Sequence, residues 1–346
     1  MKLLETKEGI KAFYLYNDEE VYVYEDKVVI GDKTLPVNEN ECVEYKNGVL
    51  FKTITDKDDD LKYTLSRFDG ESFVEENFRY ENKDYLSSKQ FCSIDDPVDG
   101  IVKVAFMDNG TEHLFEFESK KRYYILGFDT ENEILVLYIG GLTRSLLFYT
   151  KTGERLWEYT VKEGYEISGR GIGVTVVDDV VVIPCELDRH CESLEGYNIR
   201  TGEKLWEVTG RKNCNKKYVM GPNKTLYALR SYHDHGTIEL YLTEQNPFTG
   251  EVDLKVIKEG LYWGHVINSD VTIHGNKLFY INRNTSEGFP FGVINLDTKE
   301  VIEDFALEAK GYRVEKPIVT DEKVYVLIYH DGVAQNELRI YENEYK

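Results

Sequence analysis

The sequence is poor in proline, tryptophan and cysteine. Its 346 residues include seven prolines, three tryptophans and five cysteines, against 27 glycines. Few prolines and many glycines are typical of a chain with many tight turns. The cysteines are Cys42, Cys92, Cys185, Cys191 and Cys214. Because their number is odd and their spacing irregular, no disulfide framework is predicted.

A long apolar run is also missing from the N-terminal residues. Glu5 and Glu8 interrupt the stretch from Met1 to Phe13 before any apolar core of a leader could form. No signal peptide, lipid anchor or membrane span is therefore predicted. The expectation is a soluble, cytoplasmic, monomeric protein with free thiols.

Basic residues are scarce relative to acidic ones. The chain has 42 lysines and arginines against 63 aspartates and glutamates, a net charge of −21. A surface of this sign repels nucleic acid and anionic membranes, so neither is an expected partner. It attracts a basic protein, although a large charge also serves solubility alone.

Helical periodicity is absent, whereas strand-forming residues are plentiful. There are 26 tyrosines and 16 phenylalanines, which suit pleated surfaces. A polar turn followed by a short apolar strand occurs eight times. These segments begin at Asn17, Lys46, Asp99, Glu131, Val177, Pro222, His274 and Thr320. Repeats of four short antiparallel strands predict an all-β fold, a β-propeller forming one domain over residues 1–346.

A longer segment repeats in the middle of the chain. FYTKTGERLWEY, from Phe148, and YNIRTGEKLWEV, from Tyr197, place Gly153 and Gly202 49 positions apart. Gly250 and Lys299 continue the series. The strand segments favour eight blades, while the period of 49 gives seven as the alternative. The last repeat lacks a fourth strand, and residues 2–6 are predicted to supply it and close the ring.

The Thr-Gly-Glu and Leu-Trp pattern resembles the docking repeat of the PQQ-like, or quinoprotein dehydrogenase-like, β-propellers. Gly153 and Gly202 would turn the third strand into the fourth, and Trp157 and Trp206 would pack between neighbouring blades. The resemblance implies an eight-bladed ring. The quinone-dependent enzymes of this family carry adjacent cysteines, which this sequence lacks, so a non-catalytic member without a cofactor is expected.

Metal ligation has weak candidates only. The segment CELDRHCES contains Cys185, His190 and Cys191, and SYHDHG contains His233 and His235. Zinc accepts these residue types, but the spacing does not match a standard pair of ligands. Loops that join strands are the alternative interpretation for both segments.

Residues where the repeats differ are the predicted partner-binding positions. Acidic residues in the DKDDD run could contact a basic partner, and exposed aromatic clusters often mark interaction sites. The candidates are Asp58, Asp59, Asp60, Tyr232, His233, His235, Tyr262 and Trp263.

No nucleophile elbow or metalloprotease motif occurs in the sequence. The expected function is therefore a protein-interaction module without catalytic activity. Its specific form would be a cytoplasmic inhibitor or immunity-type protein that binds a basic toxin or nuclease. The alternative is an enzyme, or a binder of small ligands or metals, that acts at the mouth of the propeller channel.

Overall fold

The chain folds into antiparallel sheets that follow one another along the sequence. The computed structural model describes residues 1–46, 49–55, 63–80, 92–94, 101–108, 111–118, 123–129, 133–139, 145–168, 173–188, 190–234, 237–259, 270–281, 289–307, 313–330 and 336–345. Contacts divide the chain into two units. The first comprises Met1–Leu15, Val21–Glu25 and Val208–Lys346, and the second comprises Tyr16–Glu20 and Asp26–Glu207.

The first strands form small sheets connected by short turns. The N-terminal strand is β1 (Leu3–Glu8), and the next sheet contains β2 (Ala12–Tyr16), β3 (Glu19–Val23), β4 (Lys27–Ile30) and β5 (Lys33–Pro36). It is followed by β6 (Glu41–Lys46), β7 (Val49–Thr55), β8 (Tyr63–Phe68) and β9 (Phe73–Tyr80), then by β10 (Cys92–Ile94), β11 (Ile101–Asp108) and β12 (Thr111–Glu118).

The middle of the chain forms two further sheets. The first contains β13 (Tyr123–Asp129), β14 (Ile134–Ile139), β15 (Ser145–Thr150) and β16 (Arg155–Thr160). The second contains β17 (Glu166–Ile167), β18 (Thr175–Val177), β19 (Val180–Leu187), β20 (His190–Asn198) and β21 (Lys204–Thr209).

Three sheets complete the chain. They contain β22 (Val219–Met220), β23 (Leu226–Asp234), β24 (Thr237–Gln245) and β25 (Val252–Glu259); β26 (Asp270–His274), β27 (Lys277–Ile281), β28 (Phe289–Asn295) and β29 (Glu300–Leu307); and β30 (Arg313–Val314), β31 (Ile318–Val319), β32 (Lys323–Tyr329) and β33 (Glu337–Glu342). A short 3-10 turn spans Pro222–Lys224. Within the ranges given above, no helix is long and apolar enough to cross a membrane.

This architecture confirms the predicted all-β propeller of four-stranded sheets. The described strands pair into eight sheets, and each predicted turn-and-strand segment provides the second strand of one sheet. The number of blades itself stays a prediction.

The central strands carry the core, and the outer strands face solvent. In β14, every side chain from Ile134 to Tyr138 is buried, as are those from Val180 to Cys185 in β19. A strand covered on both faces requires such a continuous apolar run. In β29, exposed and half-buried residues instead alternate from Glu300 to Ala306, the pattern of a strand with one solvent face.

The N-terminal strand completes the last sheet, as predicted. Strand β1 pairs antiparallel with β33, with Thr6 opposite Arg339 and Glu8 opposite Glu337. Two backbone hydrogen bonds extend the contact: Glu342 N donates to Lys2 O at 2.8 Å, and Gly9 N donates to Asn336 O at 2.7 Å. The N-terminal residues therefore cover an edge that β33 would otherwise expose.

Asparagine begins the third turn of four successive sheets. The Oδ1 atoms of Asn198, Asn246, Asn295 and Asn343 each accept a hydrogen bond from the backbone N–H two residues later, at 2.9–3.0 Å. A side chain that accepts from its own turn stabilises that turn. This feature extends the repeat to the last sheet, where the glycine pattern does not reach. The spacing of the glycines in the sequence does not indicate it.

Lys299 adopts the backbone conformation that glycine adopts in the other turns. Its φ angle is +55°, against +84° at Gly153 and +70° at Gly202. A non-glycine residue in this region is strained. Lys299 also forms ion pairs with Glu244, at 2.6 Å, and Asp253 of the preceding sheet. Glycine at this position could not form these ion pairs.

Candidate functional site

The repeated tryptophan contacts two sheets at once. Trp157 of β16 stacks on Phe148 of its own sheet, with ring centroids 3.9 Å apart and planes 5° from parallel. Its Nε1 donates a hydrogen bond of 2.6 Å to Ile199 O, in the third turn of the next sheet. A Cβ atom added to Gly202 would lie 2.6 Å from the indole ring. The side chain therefore has the contacts that a docking role between neighbouring sheets requires.

Trp206 of β21 lies over a glycine of the neighbouring strand. A Cβ atom on Gly196 of β20 would overlap its indole ring. Position 196 must therefore stay without a side chain as long as the tryptophan lies there. The two tryptophans occupy equivalent places in the sequence repeat but rest on different partners.

Alanine at Gly202 should destabilise the protein more than alanine at Gly9. Both glycines have positive φ angles, +70° and +74°, but Gly9 has no atom within 4 Å of the added methyl group. Gly9→Ala should cost about 1–2 kcal/mol from the backbone alone. Gly202→Ala should cost a further ~1–3 kcal/mol because the methyl group displaces Trp157. Denaturant unfolding measures both, and equal losses would contradict the close packing of the indole.

The candidate metal ligands that the structure describes lie in strands and not in a loop. Cys185 ends the buried part of β19, and Cys191 lies in β20, both buried, while His190 is exposed at the start of β20. The two strands extend through the segment that was expected to be a loop, because a hairpin at Asp188 joins them directly. His233 lies in β23, and His235 is outside the described residues. Among the described residues, no group of three or more potential ligands is suited to a metal.

Cys185 instead contacts a tyrosine from the preceding sheet. Its Sγ lies 3.0 Å from the Tyr159 hydroxyl oxygen. Burial raises the pKa of the Cys185 thiol to about 11 and raises the pKa of the Tyr159 hydroxyl well above its usual value. Both groups are therefore protonated at neutral pH. A thiol in this state is a poor nucleophile and a poor metal ligand.

Cysteine labelling should separate the exposed thiol from the buried ones. Cys42 is exposed, whereas Cys185, Cys191 and Cys214 are buried. At pH 8, iodoacetamide should label Cys42 of the native protein and leave Cys185 unmodified, since about one thiol in a thousand is ionised three pH units below its pKa. Peptide mapping by mass spectrometry gives the result for each cysteine. Native labelling of Cys185 at the rate of Cys42 would show that the thiol is accessible and ionised.

A buried carboxylate lies next to this pair. The Glu195 side chain is only 2% exposed, and its Oε2 accepts a hydrogen bond of 2.7 Å from the Tyr197 hydroxyl. The Nζ atoms of Lys162 and Lys204 lie 3.4 and 3.5 Å from Oε1. That oxygen has no well-aligned hydrogen bond to the described residues, so it is held mainly by the two positive charges.

The same two lysines also bind Glu207. Lys162 lies 2.8 Å and Lys204 2.6 Å from its carboxylate. Hydrogen bonds from Lys162 and Lys204 lower the pKa of Glu207, and the bond to Glu207 raises the pKa of Lys162. The stability from Glu207 is therefore present above its unfolded pKa of about 4.3 and is lost as the pH falls through the lower folded value. This network connects the segment after β16 with strands β20 and β21. Its lysines and glutamates are paired with one another, as in an interaction that stabilises a fold.

The network could have been suspected from the sequence. In LEGYNI, Glu195 interrupts the apolar run of a central strand, and a polar residue at a core position requires partners. Its lysines lie 33 and nine residues away, and no pattern in the sequence specifies that distance.

Exposed acidic residues are numerous at the end of the sheets that holds the first and third turns. In an antiparallel sheet the first and third turns lie at the same end, and hydrogen bonds join them here: Lys151 N to Glu133 O, and Ile199 N to Asp179 O. We call these turns, with their exposed acidic residues, the acidic turns. In the second unit the exposed acidic residues are Asp18, Glu19, Asp32, Asp69, Glu71, Glu133, Glu154, Asp179 and Glu203.

The first unit repeats this pattern. Backbone hydrogen bonds of 2.9 and 2.8 Å join the turns through Leu296 N to Asn276 O and through Asn343 N to Glu322 O. The exposed acidic residues of its turns are Glu251, Asp297, Glu300, Asp321, Glu322 and Glu344. Exposed basic residues are fewer at the same ends of the described sheets: Arg155, Arg200 and Lys204 in the second unit, and Lys2 and Lys224 in the first. Each unit therefore presents an acidic end.

The predicted partner-binding residues are mostly outside the described ranges. Asp58, Asp59, Asp60, His235, Tyr262 and Trp263 lie there. Tyr232 and His233 lie in β23, and the structure does not describe their side chains. The acidic turns were not among the predicted positions, because their charges are spread singly over many repeats.

Known proteins match this chain through their structures and not through their sequences. No protein-family model and no curated protein matches it. Similar solved structures cover 99% of the chain: BamB from Moraxella catarrhalis (TM-score 0.53, 11% identity, 99% of that chain), Sqt1 from Saccharomyces cerevisiae (0.53, 12%, 99%) and a europium-containing methanol dehydrogenase (0.54, 11%, 93%).

One of these three proteins is named for an enzyme activity and two are not, so the likeness carries no activity to this chain. At these identities it establishes the fold alone. All three are propellers of the PQQ-like or WD40 type, and the fold of this chain is a β-propeller similar to theirs.

Proposed function

We propose that the protein is a protein-interaction propeller without catalytic activity and that its acidic turns bind a basic protein. The excess of exposed acidic side chains at the turns of each unit carries this proposal. Complementary charge steers two proteins together and suppresses wrong partners. Short turns held by backbone hydrogen bonds keep these charges in place before a partner arrives.

The specific form of the proposal is a cytoplasmic inhibitor or immunity-type protein that masks a basic toxin or nuclease. An acidic inhibitor can reach a basic enzyme at about 10⁸–10⁹ M⁻¹s⁻¹ at low salt. The net charge of −21 supports such steering. The buried, protonated state of Cys185 and Tyr159 also favours a structural over a catalytic role for that pair.

Affinity capture at low and high salt tests the proposal. The purified protein, immobilised and exposed to lysate of its source cells at about 50 mM salt, should retain a basic protein. Raising the salt to about 500 mM should slow association by at least ten-fold, because screening shortens the range of the charges. A retained partner that is acidic, or association independent of salt, would contradict the proposal.

A further inference from the structure

In one segment of this acidic chain, all of the charged residues are basic. From position 211 to position 230 there is no aspartate or glutamate. Six basic residues lie in that segment: Arg211, Lys212, Lys216, Lys217, Lys224 and Arg230. The first four belong to the loop between β21 and β22, which we call the basic loop (residues 210–218).

Buried side chains anchor the basic loop. Cys214 and Asn215 are 0% and 4% exposed. Asn215 Nδ2 donates to Thr243 Oγ1 at 3.0 Å, and Asn215 N donates to the Tyr218 hydroxyl at 3.2 Å. Asn213 N also closes a turn onto Gly210 O at 3.0 Å. The loop conformation is therefore set by contacts beneath it.

Arg230 positions its charge under the loop. Its Nη1 donates to Arg211 O at 2.9 Å and to Cys214 O at 3.0 Å. Lys212 Nζ lies 5.9 Å from the centroid of the Tyr241 ring, within the range of a cation–π contact. Both cationic side chains line the same small space.

That space is a small recess lined by basic and polar side chains, and the Tyr241 hydroxyl beside it donates a hydrogen bond to Glu239. Six residues line it: Arg211, Lys212, Asn215, Arg230, Tyr241 and Thr243. Its volume of about 10 Å³ corresponds to one water-sized group, so it suits a single oxygen atom of a larger ligand. Thr243 Oγ1 accepts a hydrogen bond from Asn215 Nδ2. Its hydroxyl hydrogen is therefore the atom that can donate a hydrogen bond to a ligand.

We propose that the basic loop and this recess bind an oxyanion, a phosphate or a carboxylate group, with one oxygen in the recess. Arginine and lysine form charge-assisted hydrogen bonds to such groups, and a fixed arginine loses little freedom on binding. At about 0.15 M ionic strength, charges more than ~8 Å away are largely screened, so the charges next to the recess dominate the potential there. The site is independent of the proposed function.

The ligand has two chemical sources, which the probes distinguish. Inorganic phosphate and acetate test binding of a free phosphate and a free carboxylate group. A peptide with phosphoserine, and the same peptide with glutamate in its place, test binding of the same two groups within a polypeptide. Calorimetric titration of the full chain at constant ionic strength should give saturable binding of one equivalent for at least one probe. Tighter binding of the peptide than of its free group would indicate a protein partner, and equal binding would indicate a small anion.

Matched lysine variants locate the site. Lys212→Gln should weaken binding about ten-fold, since a hydrogen bond to a charged group is lost. Lys224→Gln removes the same charge from the same segment, outside the recess, and should leave the affinity within two-fold. Both lysines are exposed, so both variants should fold. Absence of saturable binding for every probe, or equal weakening in the two variants, would overturn the proposal.

Discussion

Alanine in place of Trp157 should lower the free energy of unfolding by about 3–5 kcal/mol. The substitution removes the stack on Phe148, the hydrogen bond to Ile199 O and the surface against Gly202. These contacts join two sheets, so the loss should appear as a cooperative shift of the denaturant midpoint. Equilibrium unfolding followed by two spectroscopic probes measures it.

Two further variants separate the contributions at this position. Trp157→Phe retains an aromatic ring over Phe148 and loses the hydrogen bond, so it should cost less than alanine does. Leu205→Ala, beside a tryptophan but 44% exposed, should change stability by no more than about 0.5 kcal/mol. A Trp157→Ala protein as stable as the Leu205→Ala protein would refute the docking role of the indole.

Deletion of residues 1–8 should lower the Tm on the order of 10 °C. It removes the strand that pairs with β33, together with the backbone hydrogen bond from Glu342 N to Lys2 O. The side chains of β1 are mostly exposed, so the effect should come from lost backbone pairing and the newly open edge. Differential scanning calorimetry gives the shift.

Rescue by a peptide distinguishes edge pairing from a general effect of truncation. A synthetic peptide of residues 1–9, added to the truncated protein, should raise the Tm again in a concentration-dependent manner, because it binds the folded state. Leu3→Ser in the full chain, a change at an exposed position, should have little effect. An unchanged Tm after deletion would contradict the role of β1 in the last sheet.

The fold could be predicted from the sequence because its determinants are local and repeated. Turn residues followed by an apolar run identify each second strand, as in VDDVVVIP for β19. The spare strand near Leu3 was predictable because β33 needed a partner. Gly202 and Trp157 were predictable because the motif repeats the same spacing.

The contacts of the site could not be predicted because they join different strands and neighbouring sheets. The partners of Glu195 lie in a different strand and in the link from the preceding sheet. The acidic turns escaped prediction since each turn contributes only one or two charges. The sequence repeat shows Lys299 where the other copies have glycine. It does not show the ion pairs of Lys299, because the carboxylates belong to the preceding sheet.

Charge reversal in the acidic turns, measured on association with the captured basic partner, tests the central claim most directly. Glu154 and Glu203 lie in two third turns of the second unit, and both are exposed. Glu163 and Glu166, which follow β16 at the opposite end of that strand from the Glu154 turn, are exposed controls. Stopped-flow kinetics at about 50 mM salt should show a rate at least about five-fold slower for E154K/E203K and nearly unchanged for E163K/E166K. Equal rates for the two double variants would contradict binding through the acidic turns.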